Sequence, residues 1–321
     1  MDQTEGSGLG IIIMVLMLQK VGLSENNYQV ISTDDETITR IVLPLRGVSC
    51  EHYPLVAEKF VSIHSTVPMV SDDFNIFLNV MHSPDAKTSD IYERAMKNPS
   101  IALLLLINAN KNGHSCFNLR EAIDYLGFDK LQEIFNKENT ELAIVDKSDI
   151  VLHLYNHMVS TAFFAYNLAQ NFYPELDLDK VYLTGMIHDM QCLFLECASE
   201  EEKGQLKIFI IDNKISETIY DSFMHFVYHS RGGRLFAEKW HFPEEIGKII
   251  AHHHDVEHVP EDIAKICKVI YFADVMQHYI EHGIDFYQIE ENILREFRID
   301  TEEKFRFLLD RMNSEFEKFY R

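Results

Sequence analysis

Imidazole and carboxylate side chains recur in one order along the chain: His157, His188-Asp189, His229, His253-His254 and Asp274. Imidazole nitrogen and carboxylate oxygen together suit borderline and harder divalent cations. Spread over successive helices, such residues build a metal centre from the facing walls of a helical bundle. The cofactor expected from them is one or two divalent ions: iron, manganese, zinc or magnesium. The bland alternative is a helical protein with buried histidines and no ion.

Spacing says which elements must carry these groups. His157 falls near the start of a helix expected from about 149 to 172, whose Ala162, Ala165 and Ala169 permit close packing. His153 stands one turn earlier on the same face and is either a rival ligand or a partner that supports His157. His188-Asp189 closes the segment Asp179-Lys-Val-Tyr-Leu-Thr-Gly-Met-Ile-His-Asp. Adjacent helical residues point about 100° apart, so both reach metal only if an ion lies beside the helix or Asp189 bridges two ions. His229 precedes Gly232-Gly233, which lets a neighbouring helix approach, and Arg231 and Arg234 stand nearby as groups that suit an anionic ligand. His252-His253-His254-Asp255 ends the next helix, where the dipole raises imidazole basicity unless a metal or an acceptor holds the rings. Asp274 lies in the apolar run Val269-Ile-Tyr-Phe-Ala-Asp-Val-Met276, and burying it unpaired is costly. A metal or a histidine would remove that cost.

The chain has 321 residues, 46% of them apolar, enough for one large domain or two ordinary ones. Its 29 basic and 51 acidic residues give a net charge of -22, which repels phosphate backbones and anionic lipid alike. Neither bulk nucleic acid nor a membrane is an expected partner. The five cysteines (Cys50, Cys116, Cys192, Cys197, Cys267) include no Cys-x-x-Cys pair, which fits a reducing cytoplasm. The apolar run 9–18 is too short to span a bilayer, for which roughly 17 to 25 residues are needed. It reads as buried core or a partner-facing segment.

Residues 1–66 form an extension of unknown role, a small α or α/β cap. In it Tyr28-Gln-Val-Ile31 and Thr37-Ile-Thr-Arg-Ile-Val-Leu43 lean towards strand around a turn at Thr33-Asp34-Asp35. Gly6-Ser-Gly8-Leu-Gly10 lacks the preceding strand and following lysine of a phosphate loop and reads as a leader. From 67 to 148 the pattern is helical. Phe74, Phe77, Leu78 and Met81 share helical spacing, Pro99 suits a first helical position, and Asn118 can cap a short helix that stops at Gly127. The stretch 149–284 is helical, and 285–321 adds C-terminal helices. Breaks are expected at Pro174, Gly204, Gly232-Gly233, Pro243 and Pro260.

These residues resemble the HDOD domain, a module related to the HD superfamily of metal-dependent phosphohydrolases and to the HD-GYP proteins. The resemblance covers roughly 67–280. Val67-Pro68, Asn98-Pro99-Ser100-Ile-Ala, Leu105-Leu106-Ile-Asn-Ala-Asn110 and Glu121-Ala-Ile-Asp-Tyr-Leu-Gly127 are similar to its N-terminal motifs. Gly185-Met-Ile-His188-Asp189, His229 with Gly233, Trp240 and Pro243, the pair His253-His254, and Asp274 are similar to the HD part. It implies an all-α, multi-helix HDOD/HD-type bundle with His157, His188, Asp189, His229, His253, His254 and Asp274 on the metal, and it favours His253 and His254 over His252. The chain departs from the pattern after Asp189. There it reads Met190-Gln191-Cys192, without the glycine of the family or the lysine of catalytic relatives, and the Gly-Tyr-Pro signature is absent.

The function expected is that of a cytoplasmic signalling or regulatory protein that binds a protein partner or small anionic ligand, with homodimerisation compatible. The competing expectation is a metal-dependent phosphohydrolase acting on a phosphoester or nucleotide.

Overall fold

The computed structural model describes residues 28–32 and 37–41, as backbone, and 52–320 apart from 84, 112, 136–141, 227–228 and 282. The expectations for the run 9–18 and for Gly6 to Gly10 lie outside the described residues. The described part is almost wholly helical, as expected of an all-α bundle. Strands β1 (Tyr28–Ser32) and β2 (Thr37–Ile41) pair antiparallel, from Tyr28 opposite Ile41 to Ser32 opposite Thr37. The strand-leaning residues in 28–31 and 37–41 pair as strands, while the turn expected at Thr33-Asp34-Asp35 lies outside the described residues.

Helix α1 (Tyr53–Ile63) buries Tyr53, Val56, Ala57, Phe60 and Val61 in the same core as the helices that follow. Strand β3 (Val67–Val70) then leads to α2 (Ser71–Met81), α3 (Thr88–Ala95), α4 (Pro99–Asn110) and α5 (Leu119–Ile134), and β4 (Leu142–Val145) returns parallel to β3. The helical pattern of 67–148 gave no sign of these strands, because four apolar residues carry no period of their own. Asn98 caps α4 by accepting from the Ser100 and Ile101 amides, with Pro99 at its start. Every residue of α4 is buried, and Asn108 and Asn110 stay satisfied by donating to the Leu104 and Leu106 carbonyls. Gly127, at φ 69°, kinks α5 where a stop was expected, and the chain continues helical beyond it.

Helix α6 (Asp149–Phe172) is capped by Ser148 and joins two hydrophobic clusters. Its Tyr155, Met158 and Ala162 enter the first, while Val159, Phe164, Ala165, Leu168 and Ala169 enter the second. Next come α7 (Leu178–Ile187), α8 (Met190–Glu196), α9 (Glu200–Asp212), α10 (Glu217–Met224), α11 (His229–Lys239), α12 (Glu244–His252) and α13 (Ala264–Ile280). A 3₁₀ turn (Phe286–Gln288), α14 (Glu291–Glu296) and α15 (Glu302–Tyr320) complete the second cluster through Phe297, Phe305 and Phe316. Gly204 and Gly232-Gly233 lie inside α9 and α11, so they do not break the chain as expected. The reason at Gly232 is packing: a Cβ there would stand 1.5 Å from Gln191 Oε1. At Gly185 a Cβ would come within 3.0 Å of the Ala162 backbone, which is how closely α7 lies on α6. Among the described residues no helix is long and apolar enough to cross a membrane.

Candidate metal centre

The apolar faces of α6, α7, α11, α12 and α13 enclose a small polar interior, and it is built from the residues singled out in the sequence. His157 from α6, His188 and Asp189 from the turn between α7 and α8, His253 from the end of α12 and Asp274 from α13 are all buried. His229, at the start of α11, keeps 15% of its side chain exposed and His254 keeps 39%. All seven converge.

Asp189 is the hub. Its Oδ1 lies 2.9 Å from His229 Nε2, 3.4 Å from His188 Nε2 and 3.5 Å from His253 Nε2. Its Oδ2 faces His157 Nε2 at 3.5 Å. Asp274 Oδ1 stands 3.1 Å from His157 Nε2 and 3.6 Å from His188 Nε2, and its Oδ2 is 3.6 Å from His254 Nδ1. The residues form three overlapping groups, Asp189-His229-His253-His254, His157-His188-Asp189 and His157-Asp274-His278.

Proton placement follows from the backbone. Nδ1 of His188 lies 2.7 Å from the Gly185 carbonyl, Nδ1 of His229 2.7 Å from that of Phe226, and Nδ1 of His253 2.6 Å from that of Ile250. A carbonyl only accepts, so each Nδ1 carries the proton and donates it. Each Nε2 then faces the Asp189 carboxylate, and it donates there only where the ring carries a second proton. His229 Nε2 and His253 Nε2 also face each other at 3.2 Å, and His254 Nε2 faces His229 Nε2 at 2.9 Å. Nitrogens and carboxylate oxygens that converge this closely are held together by a cation, either a second proton on an imidazole or a metal ion.

The burial pattern agrees. His157 Nε2, His188 Nε2, Asp189 Oδ1 and Asp274 Oδ1 are inaccessible to water and have no hydrogen-bond partner. Leaving such groups unsatisfied costs about 1–3 kcal/mol each. Ligand atoms that hold one ion at about 2.0–2.2 Å sit roughly 3–3.5 Å apart at octahedral or tetrahedral angles. The spacings above, from 2.9 to 3.6 Å, fit a divalent ion.

The charges reinforce one another. Burial disfavours an ionised Asp189, yet the neighbouring His188 and His229, with His157, hold its carboxyl well below the usual range. Burial likewise opposes ionisation of Asp274, and His157 and His188 prevail. His229 is pushed up to about 9 because the Asp189 charge outweighs its burial. His253 is lowered, since burial dominates there, and its ring is held by the Ile250 carbonyl as an acceptor.

His153, the rival of His157, is 57% exposed at the rim and faces Glu281 at 3.4 Å. His252 is not among the converging groups. Arg234 pairs with Glu238 at 2.8 Å on the surface of α11, so it does not serve the interior. Two contributors were missed. His278 Nε2 lies 3.4 Å from Asp274 Oδ1, and Glu281 Oε1 lies 3.5 Å from His157 Nδ1. The signal was present in the sequence: Asp274 and His278 stand one turn apart on α13, and Glu281 follows at the same helical spacing at its C-terminal cap.

Comparison with known proteins accords with this geometry. A family model described as the HDOD domain matches residues 67–256. The chain belongs to the HDOD family. A relative from Treponema pallidum (strain Nichols), described as an uncharacterized protein, is 26% identical over 321 residues, 99% of this chain and 63% of its own length. This HDOD chain therefore spans under two thirds of that relative. In fold it is similar to a fragment of the MmoQ response regulator of Methylococcus capsulatus, with TM-score 0.56, 13% identity, and 75% of this chain and 94% of the other covered. It is similar also to a virulence factor of Campylobacter jejuni, with TM-score 0.52, 15% identity, and coverage of 80% and 95%.

Proposed function

We propose that this HDOD protein is a cytoplasmic signalling or regulatory module whose interior holds one or two divalent ions, and that it acts by binding a protein partner or small anionic ligand. The observation that carries this reading is α8. Directly after Asp189, Met190, Gln191 and Cys192 are 0%, 1% and 3% exposed and supply no cation. The resemblance puts a lysine there in the catalytic relatives. His157, His188, Asp189 and Asp274 would hold one ion, and Asp189, His229, His253 and His254 a second, with Asp189 bridging. Metal so held ties α6, α7, α11, α12 and α13 to one point, and the partly exposed rings of His229, His254 and His278 mark the side a ligand would approach.

A second reading, metal-dependent hydrolysis of a phosphoester, is favoured by Asp189 being shared between two ligand groups. Bound divalent ions acidify water and polarise phosphoryl oxygen. His278 would then orient the substrate, and the buried walls would exclude bulk water.

The test is elemental analysis of protein purified without a histidine tag, together with turnover assays on phosphomonoesters, phosphodiesters and cyclic dinucleotides. Bound metal without turnover supports the regulatory reading. Metal-dependent turnover that Asp189→Ala abolishes replaces it with the hydrolase, and protein free of metal under metal-replete conditions sinks both.

A further inference from the structure

A second set of ligand-type side chains, sharing no residue with the centre above, lies between the end of α4 and the start of α5. One donor atom from each of His114, Cys116 and Glu121 lies within 4.8 Å of the other two. His114 Nε2 is 3.7 Å from Glu121 Oε1. Each of the three is held by an independent contact. The His114 ring stacks on Tyr125 at 4.0 Å with 5° between planes. The Cys116 amide donates to Asn110 Oδ1 at 3.0 Å, and Asn110 in turn donates to the Leu106 carbonyl, which ties this backbone to the last turn of α4. Glu121 Oε2 accepts from the Phe117 amide at 3.0 Å, while Asn118 accepts from the Glu121 amide as the cap of α5. That leaves Oε1 of Glu121 to face His114.

We propose that His114, Cys116 and Glu121 form a separate site for a borderline divalent cation of the zinc type, with water completing the coordination. A thiolate and a carboxylate balance the two positive charges, and a neutral imidazole supplies the third donor. Sulfur, nitrogen and oxygen ligands around zinc sit roughly 3.3–3.8 Å apart, so the group closes on an ion by about 1 Å or less. The part-exposed side chains of His114 and Glu121 give the ion a path from solvent. Burial and the Glu121 charge push the Cys116 thiol up to about 12, so it is protonated without metal, and uptake of the ion releases that proton to water. Bound metal would clamp α4 to α5.

Cobalt(II) distinguishes this site from the histidine-aspartate centre, because only a cysteine ligand gives an intense sulfur-to-cobalt charge-transfer band in the near ultraviolet. Titrating the full chain with Co²⁺ is expected to produce that band, to lose it in Cys116→Ser, and to require at least tenfold more cobalt in His114→Ala and Glu121→Gln. Absence of the band at saturating cobalt, or its persistence in Cys116→Ser, overturns the proposal. Should Cys116→Ser fail to fold, unchanged cobalt affinity in the other two variants overturns it equally.

Discussion

Oδ1 of Asp189 lies 2.9 Å from Nε2 of His229 and so joins the turn between α7 and α8 to the first turn of α11. The His229 ring is fixed from behind by the Phe226 carbonyl, so Nε2 meets the carboxylate either as the second N–H of an imidazolium or as a lone pair with a metal cation between them. A cation is the natural third member of such a pair.

Asp189→Asn keeps the shape and removes the charge that two of the ligand groups share. Metal content, read by mass spectrometry on tag-free protein, is expected to fall to background for every ion bound there. A variant that retains half of the metal would mean that Asp189 serves one ion only.

His278 touches the centre through Asp274 and is 42% exposed, so His278→Ala is expected to leave the fold intact while weakening metal affinity by roughly 10–100-fold. Competition against a fluorescent chelator measures this. Affinity equal to that of the parent would make His278 a bystander.

Gly232 and Gln191 are expected to be coupled. Gly232→Ala intrudes on Gln191 Oε1 and is expected to cost about 1–3 kcal/mol in urea denaturation. Combining it with Gln191→Ala should recover part of that loss, since the obstructing side chain is gone; strict additivity would refute the contact. Gly185→Ala meets the Ala162 backbone instead, and no side-chain trimming is expected to rescue it.

Glu202 supplies a pH dependence away from the metal centre. Burial opposes its ionisation, but His64 Nδ1 at 2.8 Å and the Ser199 amide and hydroxyl lower it from 4.5 to about 2. A depressed carboxyl stabilises the fold above its unfolded value and loses that contribution as pH falls through the folded one. The melting-temperature gap between the parent and Glu202→Gln is therefore expected to be widest above about pH 5 and to narrow as pH falls from 4.5 towards 2. A gap constant across that range would remove the charge from the explanation.

Much of the helical frame was legible from local chemistry. Pro99 begins α4, Asn118 caps α5, and the apolar spacing of Phe74, Phe77 and Met81 marks α2, because caps and periodicity act within one or two turns. The kink at Gly127 and the continuous helices through Gly204 and Gly232 were not legible. Whether a glycine ends a helix or lets another group press against it depends on what lies opposite, and Gln191 is far from Gly232 in the chain.

The sequence by itself determined which residues carry metal-binding chemistry and in what order they occur, because donor type is a property of the side chain. Only the tertiary structure decided their roles. It turned His153 to the rim, brought in His278 and Glu281, set Asp189 between two groups of histidines and anchored three Nδ1 atoms on carbonyls. Those outcomes depend on distances between helices, which follow from how the apolar faces of α6, α7, α11, α12 and α13 pack.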